Sequence, residues 1–470
     1  MKKAVYLLAC TITGVCLYAH TDGTPVGYTG VLNGIPTDGG GQTCIQCHVG
    51  PPPINQGQGR ITVTTNAYTP GVNQDVTVQL NDPTALNFGF QLTARLQNDP
   101  TKQAGTFSSP TSSTQVRCAP DGHLAPCADG VVQYVTHTSA QPPGGQGTRT
   151  YVITWTPPGR DLGPVVFYAA GVAGSGEVVT TDTVTGDRVY TTPPAGLQVS
   201  PGECNLTGPP AFKQTGAVTD AASFRNTISS GQLISIFGSN FLPNAQTQGY
   251  SATSLDLLNG NWPTELACIA VEITGVRVPI FFVSPGQINV QAPTFTTGQQ
   301  ADVKVILNPD TANQIASPVV NVAAGPIAPA LFTYVNGNAK ALDITKYALD
   351  PKNLYLADTA VLASGVSAAP GDVIELYGTG FGPTNPAYDL GVFADPNAPL
   401  PFLTTSPVTV TIGNVTVSGA DVSYAGLSFA APGLYQVNVK VPDVPDGDQP
   451  ISVHIGNTVT QGGVTIPVKR

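Results

Sequence analysis

Short runs that alternate apolar and polar side chains, each cut off by glycine or proline, limit this chain more than any other feature. Ile61-Thr62-Val63-Thr64, Val76-Thr77-Val78-Gln79-Leu80 and Tyr151-Val152-Ile153-Thr154-Trp155 carry the period of a half-buried strand. Phe88 to Ala94 and Val165 to Ala169 predict further strands, and Thr69-Pro70-Gly71 and Pro157-Pro158-Gly159 read as the turns between them. The 470 residues include 52 glycines and 43 prolines, while charged residues make up 10%. A helical bundle or coiled coil needs Ala, Glu, Lys and Leu at helical spacing, and this chain lacks them. A hydrophobic share of 41% is enough for packed cores. The expected class is all-β, built of sandwiches, with one short helical turn at Asp343 to Leu349. A net charge of -10 argues against a nucleic-acid partner.

The second half repeats itself. Gly231-Gln232-Leu233-Ile234-Ser235-Ile236-Phe237-Gly238-Ser239-Asn240-Phe241 returns 140 positions later as Gly371-Asp372-Val373-Ile374-Glu375-Leu376-Tyr377-Gly378-Thr379-Gly380-Phe381. Each copy is followed by an alternating segment ending in an apolar-Pro strand, Gln287 to Pro293 and Gln436 to Pro442. Two copies of one β-rich unit predict two similar sandwiches rather than one enzyme core. The glycine after each aromatic, Gly238 and Gly378, is expected to turn the strand with positive φ. The resulting division is a leader over 1–19, an irregular arm over 20–59, a sandwich over 60–195, a linker over 196–214, and two further sandwiches over 215–328 and 329–470.

Lys2 and Lys3, the apolar stretch Ala4 to Tyr18 and the polar start at His20 have the layout of a secretion signal, and no membrane span is expected after its removal. The location implied is exported: periplasmic, cell-surface or extracellular. Cys10 and Cys16 leave with the signal. Six cysteines remain, in a compartment where disulfides persist. Cys118 and Cys127 flank a short loop and are expected to pair, with Cys204 and Cys268 as the second bridge, although four cysteines allow three pairings.

Cys44-Ile45-Gln46-Cys47-His48 carries the chemistry. Two thiols three positions apart can add across the vinyl groups of a haem, and the following imidazole then lies under the iron, so this spacing predicts one covalent haem c. Cys44 and Cys47 would hold the porphyrin and His48 would be the proximal ligand. Methionine is excluded as the distal ligand because Met1 is the only one. That leaves His137, His123, His20, His454 or an open position. His137 ranks first, in the strand-like Tyr134 to Thr138, and His123 ranks second. Two imidazoles would suit electron transfer; an open sixth position would permit weak peroxidatic activity. There is no Gly-x-Ser-x-Gly, P-loop or His-Glu-x-x-His pattern, and Asp443 to Asp448 lacks the full ligand series of a calcium loop.

Two resemblances follow from these residues. The segment Pro25 to Gly30 leading to Cys44–His48, with Tyr68 to Gly71, Phe88 to Ala94, His137-Thr138 and Gly163 to Gly171, resembles the choice-of-anchor V domain, a Reeler-like exported bacterial β-sandwich, over about residues 20 to 195. The His-Thr element belongs to that pattern, which favours His137 over His123. Asp220 to Phe224, Leu233 to Asn240, Phe282 to Asn289, Tyr377 to Pro383 and Gly433 to Val439 resemble the C-terminal domain of Solibacter-type acidobacterial proteins, which is similar to the IPT/TIG immunoglobulin-like modules of surface proteins. This second resemblance covers about residues 215 to 470 and implies architecture and location rather than catalysis. The first functional expectation is therefore an exported monohaem c-type protein, not an enzyme, that passes electrons to a redox partner protein or surface component, with Ig-like modules as spacers. The second is a cell-surface or matrix adhesion protein with no redox role.

Overall fold

Where apolar residues alternate, the backbone extends and pairs. The computed structural model describes residues 23–30, 42–48, 53–109, 111–144, 147–175, 186–193, 196–243, 249–349, 366–398 and 402–470. The expected leader over 1–19, with Cys10 and Cys16, and His20 lie outside the described residues. The chain forms two compact units, residues 1–203 and 204–470. The all-β class expected from the sequence is what the structure shows, and the helical turn at Ile344–Leu349 is six residues long. Among the described residues no helix is long and apolar enough to cross a membrane.

Among its described residues the first unit holds ten strands: β1 (Arg60–Thr64), β2 (Gln74–Asn81), β3 (Asn87–Leu96), β4 (Thr106–Ser108), β5 (Thr114–Cys118), β6 (Gln133–His137), β7 (Thr148–Thr156), β8 (Val165–Gly174), β9 (Arg188–Thr191) and β10 (Leu197–Val199). One sheet runs β1-β2-β7-β4; the other runs β10-β8-β3-β6-β5, with β9 on β8. Val76, Val78 and Leu80 of β2 are fully buried while the polar residues between them face outward, which is the alternation legible in the sequence. Trp155 anchors the core edge-on to Tyr68 and Phe167, with centroids 5.6 and 4.9 Å away, and its indole donates to the Ala104 carbonyl at 2.9 Å.

Every residue of β8 is buried. A strand covered on both faces needs a second layer, and the arm supplies part of it. Gln91, fully buried on β3, accepts from the Tyr28 amide at 2.7 Å and donates to the Pro25 carbonyl at 2.7 Å. Asn55 bonds Thr191 through both backbone and side chain. The described parts of the arm are thus seated on the six-stranded sheet.

In the second unit the two copies of the repeat build their sheets in the same register. Leu233–Ser239 pairs antiparallel with Gln287–Gln291, placing Ile234 against Val290 and Ile236 against Ile288. Val373–Thr379 pairs with Tyr435–Lys440, placing Ile374 against Val439 and Leu376 against Val437. Each copy also bulges where its third strand joins, between Ile280 and Phe282 and between Val422 and Tyr424. In the second copy a facing sheet (Val408–Ile412, Gly447–Ile455) closes one core with Ile374, Leu376, Val410, Ile412, Val437 and Val453. Within the stretch expected as a linker, 196–214, Leu197–Val199 is β10 of the first unit and Ala211–Phe212 pairs with Leu233–Ser239 in the second.

The structure corrects the role expected of Gly238 and Gly378. Neither has positive φ. A Cβ at Gly238 would come within 2.2 Å of the Ala211 carbonyl and 2.5 Å of the Phe241 ring, and one at Gly378 within 2.6 Å of the Phe381 ring and 2.7 Å of the Ala330 carbonyl. The glycine makes room for the carbonyl of the strand paired beside it and for the phenylalanine three residues on, so the constraint is steric rather than conformational.

Candidate functional site

Thr43 opens a single 3-10 turn, Cys44–Gln46. Its backbone amide donates to the Gln46 side chain at 2.7 Å, and its hydroxyl accepts from Ile45. These caps satisfy donors that so short a turn leaves unpaired. The amides of Cys47 and His48 both return to the Cys44 carbonyl, at 3.2 and 2.9 Å. The segment is a tight corner fixed at both ends.

The two cysteines meet different surroundings. Cys44 is 5% exposed and packs against Ala170 and Val172 of β8 and Val189 of β9, with Ile45 and Ile54 alongside. Burial there pushes its thiol up to about 12, against a backbone hydrogen bond that lowers it. Cys47 is half-buried. Both stand outside the disulfides. His48 turns its Nδ1 to Asp187, 2.7 Å from Oδ2. The other Asp187 oxygen accepts from the Ser175 amide at 2.7 Å and hydroxyl at 3.0 Å. Burial works to raise the Asp187 carboxyl, but hydrogen bonds from His48 and Ser175 outweigh it and hold the group below the usual carboxylate range. Asp187 lies 139 positions from His48. No motif spacing links the two, and sequence reasoning missed the pair.

His137 sits at the end of β6 and is 7% exposed. Its ring lies over Gly89, where an added Cβ would come within 2.6 Å of Cε1. Its Nδ1 faces the Phe90 backbone, 3.1 Å from the amide and 3.3 Å from the carbonyl. His123 is exposed and paired with Asp121 at 2.6 Å. His454 lies on the strand Gly447–Ile455 of the second unit, opposite Thr409 and Val459.

These observations correct the cofactor expectation. Among the described residues no three His, Cys, Asp or Glu side chains gather where a metal ion could sit. The cysteine pairs that the structure brings together are Cys118–Cys127 and Cys204–Cys268, both closed as disulfides. Cys44 fills an apolar slot, and the imidazole favoured as the distal ligand is buried with its Nδ1 against the Phe90 backbone. The residues present do not fit one covalent haem c held by Cys44 and Cys47 between His48 and His137 or His123. What the corner provides is an anchored turn: a buried thiol as its apolar foot and a His–Asp pair as its polar clasp.

Residues 42–176 match the Reeler domain. The matched Reeler segment begins at the Cys44–His48 corner and runs through β8. No curated protein matches the chain. Among solved structures, the human F-spondin reeler domain (fragment 1) is 18% identical, covering 33% of this chain and 95% of that one, with a TM-score of 0.21. The Bacteroides ovatus mixed-linkage glucan utilization locus protein SGBP-B, in complex with a mixed-linkage heptasaccharide, is 12% identical over 78% of this chain and 64% of that one, with a TM-score of 0.24. The seventh ScaB type I cohesin from Pseudobacteroides cellulosolvens is 9% identical over 28% of this chain and 90% of that one, with a TM-score of 0.17.

Proposed function

We propose that this chain is an exported surface or matrix protein that works by adhesion, with a Reeler-type module followed by two sandwiches resembling IPT/TIG modules as its scaffold. The observation that carries the reading is the Reeler match within a chain of paired β-sheets closed by two disulfides. Disulfides persist outside the reducing cytosol, which supports export. The electron-transfer expectation falls with the haem it required.

The test uses the full chain, secreted and tagged. It is added to washed cells of the producing strain and to their insoluble matrix polysaccharide. Saturable retention that an untagged excess displaces is the expected result. Protein that remains wholly in the supernatant at all loads would sink the reading, as would a Soret band with a porphyrin mass on Cys44 and Cys47.

A further inference from the structure

The two copies of the repeat differ where one end of the first meets the opposite end of the second. Gln291, fully buried at the end of its strand in the first copy, reaches into the second. Its Oε1 accepts from the Gly391 amide at 2.7 Å, and its Nε2 donates to Tyr388 Oη at 3.1 Å and to the Gly231 carbonyl at 3.2 Å. Thr379, fully buried in the second copy, accepts from the Leu233 amide at 2.9 Å and donates to the Gly433 carbonyl at 2.9 Å. Gln232 donates to the Ala328 carbonyl at 2.9 Å while its Oε1 holds the Ser229 amide at 2.8 Å. Each of these buried side-chain amide and hydroxyl groups has its partner, the condition under which a buried polar network specifies one geometry.

Glycines make the approach close enough. An added Cβ at Gly231 would meet Tyr388 Oη at 2.6 Å, and one at Gly433 would meet the Gly231 carbonyl at 2.7 Å. At Gly380 it would meet Gln232 Nε2 at 2.5 Å. The equivalent positions at the opposite ends of the pair are different. Gly371, the counterpart of Gly231, has open space around it. Lys440, the counterpart of Gln291, is exposed. Asp372, the counterpart of Gln232, accepts from Ala369 and ion-pairs with Lys346 at 3.5 Å. Asn240 keeps the left-handed φ of Gly380, 62° against 77°, but carries a side chain where docking needs none.

We infer that the start of the first repeat's sheet is a docking surface for the end of the second, so that the two repeats work as one rigid pair with no hinge at their junction, and that this docking is confined to the single internal junction. The partner that fits the surface is the second copy of the same repeat. The inference rests on the junction alone and stands whether or not the protein is adhesive.

Hydrogen exchange read by mass spectrometry on the full chain tests it. In the wild type, segments 229–233 and 388–393 should exchange as slowly as the neighbouring strands. Gln291→Lys, which installs the residue found at the equivalent position of the second copy, should speed exchange in both segments at least tenfold while the strands at 299–307 and 447–455 keep their protection. Thr379→Val, which removes one hydroxyl at constant shape, should do the same for 229–233 and decides the matter should the lysine variant fail to fold. Wild-type exchange in these segments as fast as in the exposed Gly462–Gly463 segment, or unaltered protection in both variants, would overturn the inference.

Discussion

At the scale of single residues, the turn at Cys44 separates two roles that its spacing joins. Cys44 is held by an apolar slot and Cys47 is not, so serine should act differently at the two sites. Cys44→Ser places a hydroxyl among Ala170, Val172 and Val189 and should cost about 1–3 kcal/mol. Cys47→Ser should stay within about 0.5 kcal/mol. Urea midpoints for the two variants check this, and equal losses would contradict the assignment. Asp187 sets a second expectation. Its folded-state affinity for protons is depressed, so the stability it contributes is present above the unfolded carboxylate value of about 3.9 and is lost as pH falls through the lower folded value. Asp187→Asn should therefore cost about 1–3 kcal/mol at neutral pH, and the gap to wild type should narrow as pH falls below the unfolded carboxylate value. A gap that does not narrow at any pH below that value would show that the pair does not act through charge. The motif itself was legible, because a CxxCH pattern is local. Its surroundings were not: Asp187 and the Val172 wall are far away in sequence, and a spacing rule cannot tell a buried foot from a tethering thiol.

At the scale of elements, legibility follows the range of the interactions. Alternation is set by nearest neighbours, and the strands read at Ile61, Val76 and Tyr151 lie within β1, β2 and β7. The short loop between Cys118 and Cys127 made that pairing readable, and Cys204–Cys268 followed by elimination. The repeat was visible as a pattern of residues, but the reason for its glycine was not, since the Phe241 and Phe381 rings that claim the space return through the third dimension. The disulfides give a ranking. Removing the 64-residue tie by Cys204→Ser with Cys268→Ser should cost about 4 kcal/mol, and removing the nine-residue tie by Cys118→Ser with Cys127→Ser about 2–3 kcal/mol, because longer loops lose more freedom when closed. Thermal melts of the two double variants would show the order, and the reverse order would mean that unfolded-chain entropy is not what these bridges restrict.

At the scale of the whole molecule, charge governs how the chain meets a surface. With 29 acidic and 19 basic residues it is repelled by anionic polysaccharide. Retention on such a matrix should rise several-fold between about 0.01 and 0.15 M salt, as the screening length falls from roughly 30 to 8 Å. Retention that falls with salt would instead point to a local basic contact. The paired repeats bear on the same setting. A contact between the head of one module and the tail of the next has no built-in closure, and such contacts ordinarily continue into filaments. Lys440 and Asn240 stand at the two ends where a further module would have to land, each bearing a side chain that the internal junction cannot accommodate. Crowded copies of the chain therefore stay countable individuals, and how many modules couple is set by the sequence rather than by concentration.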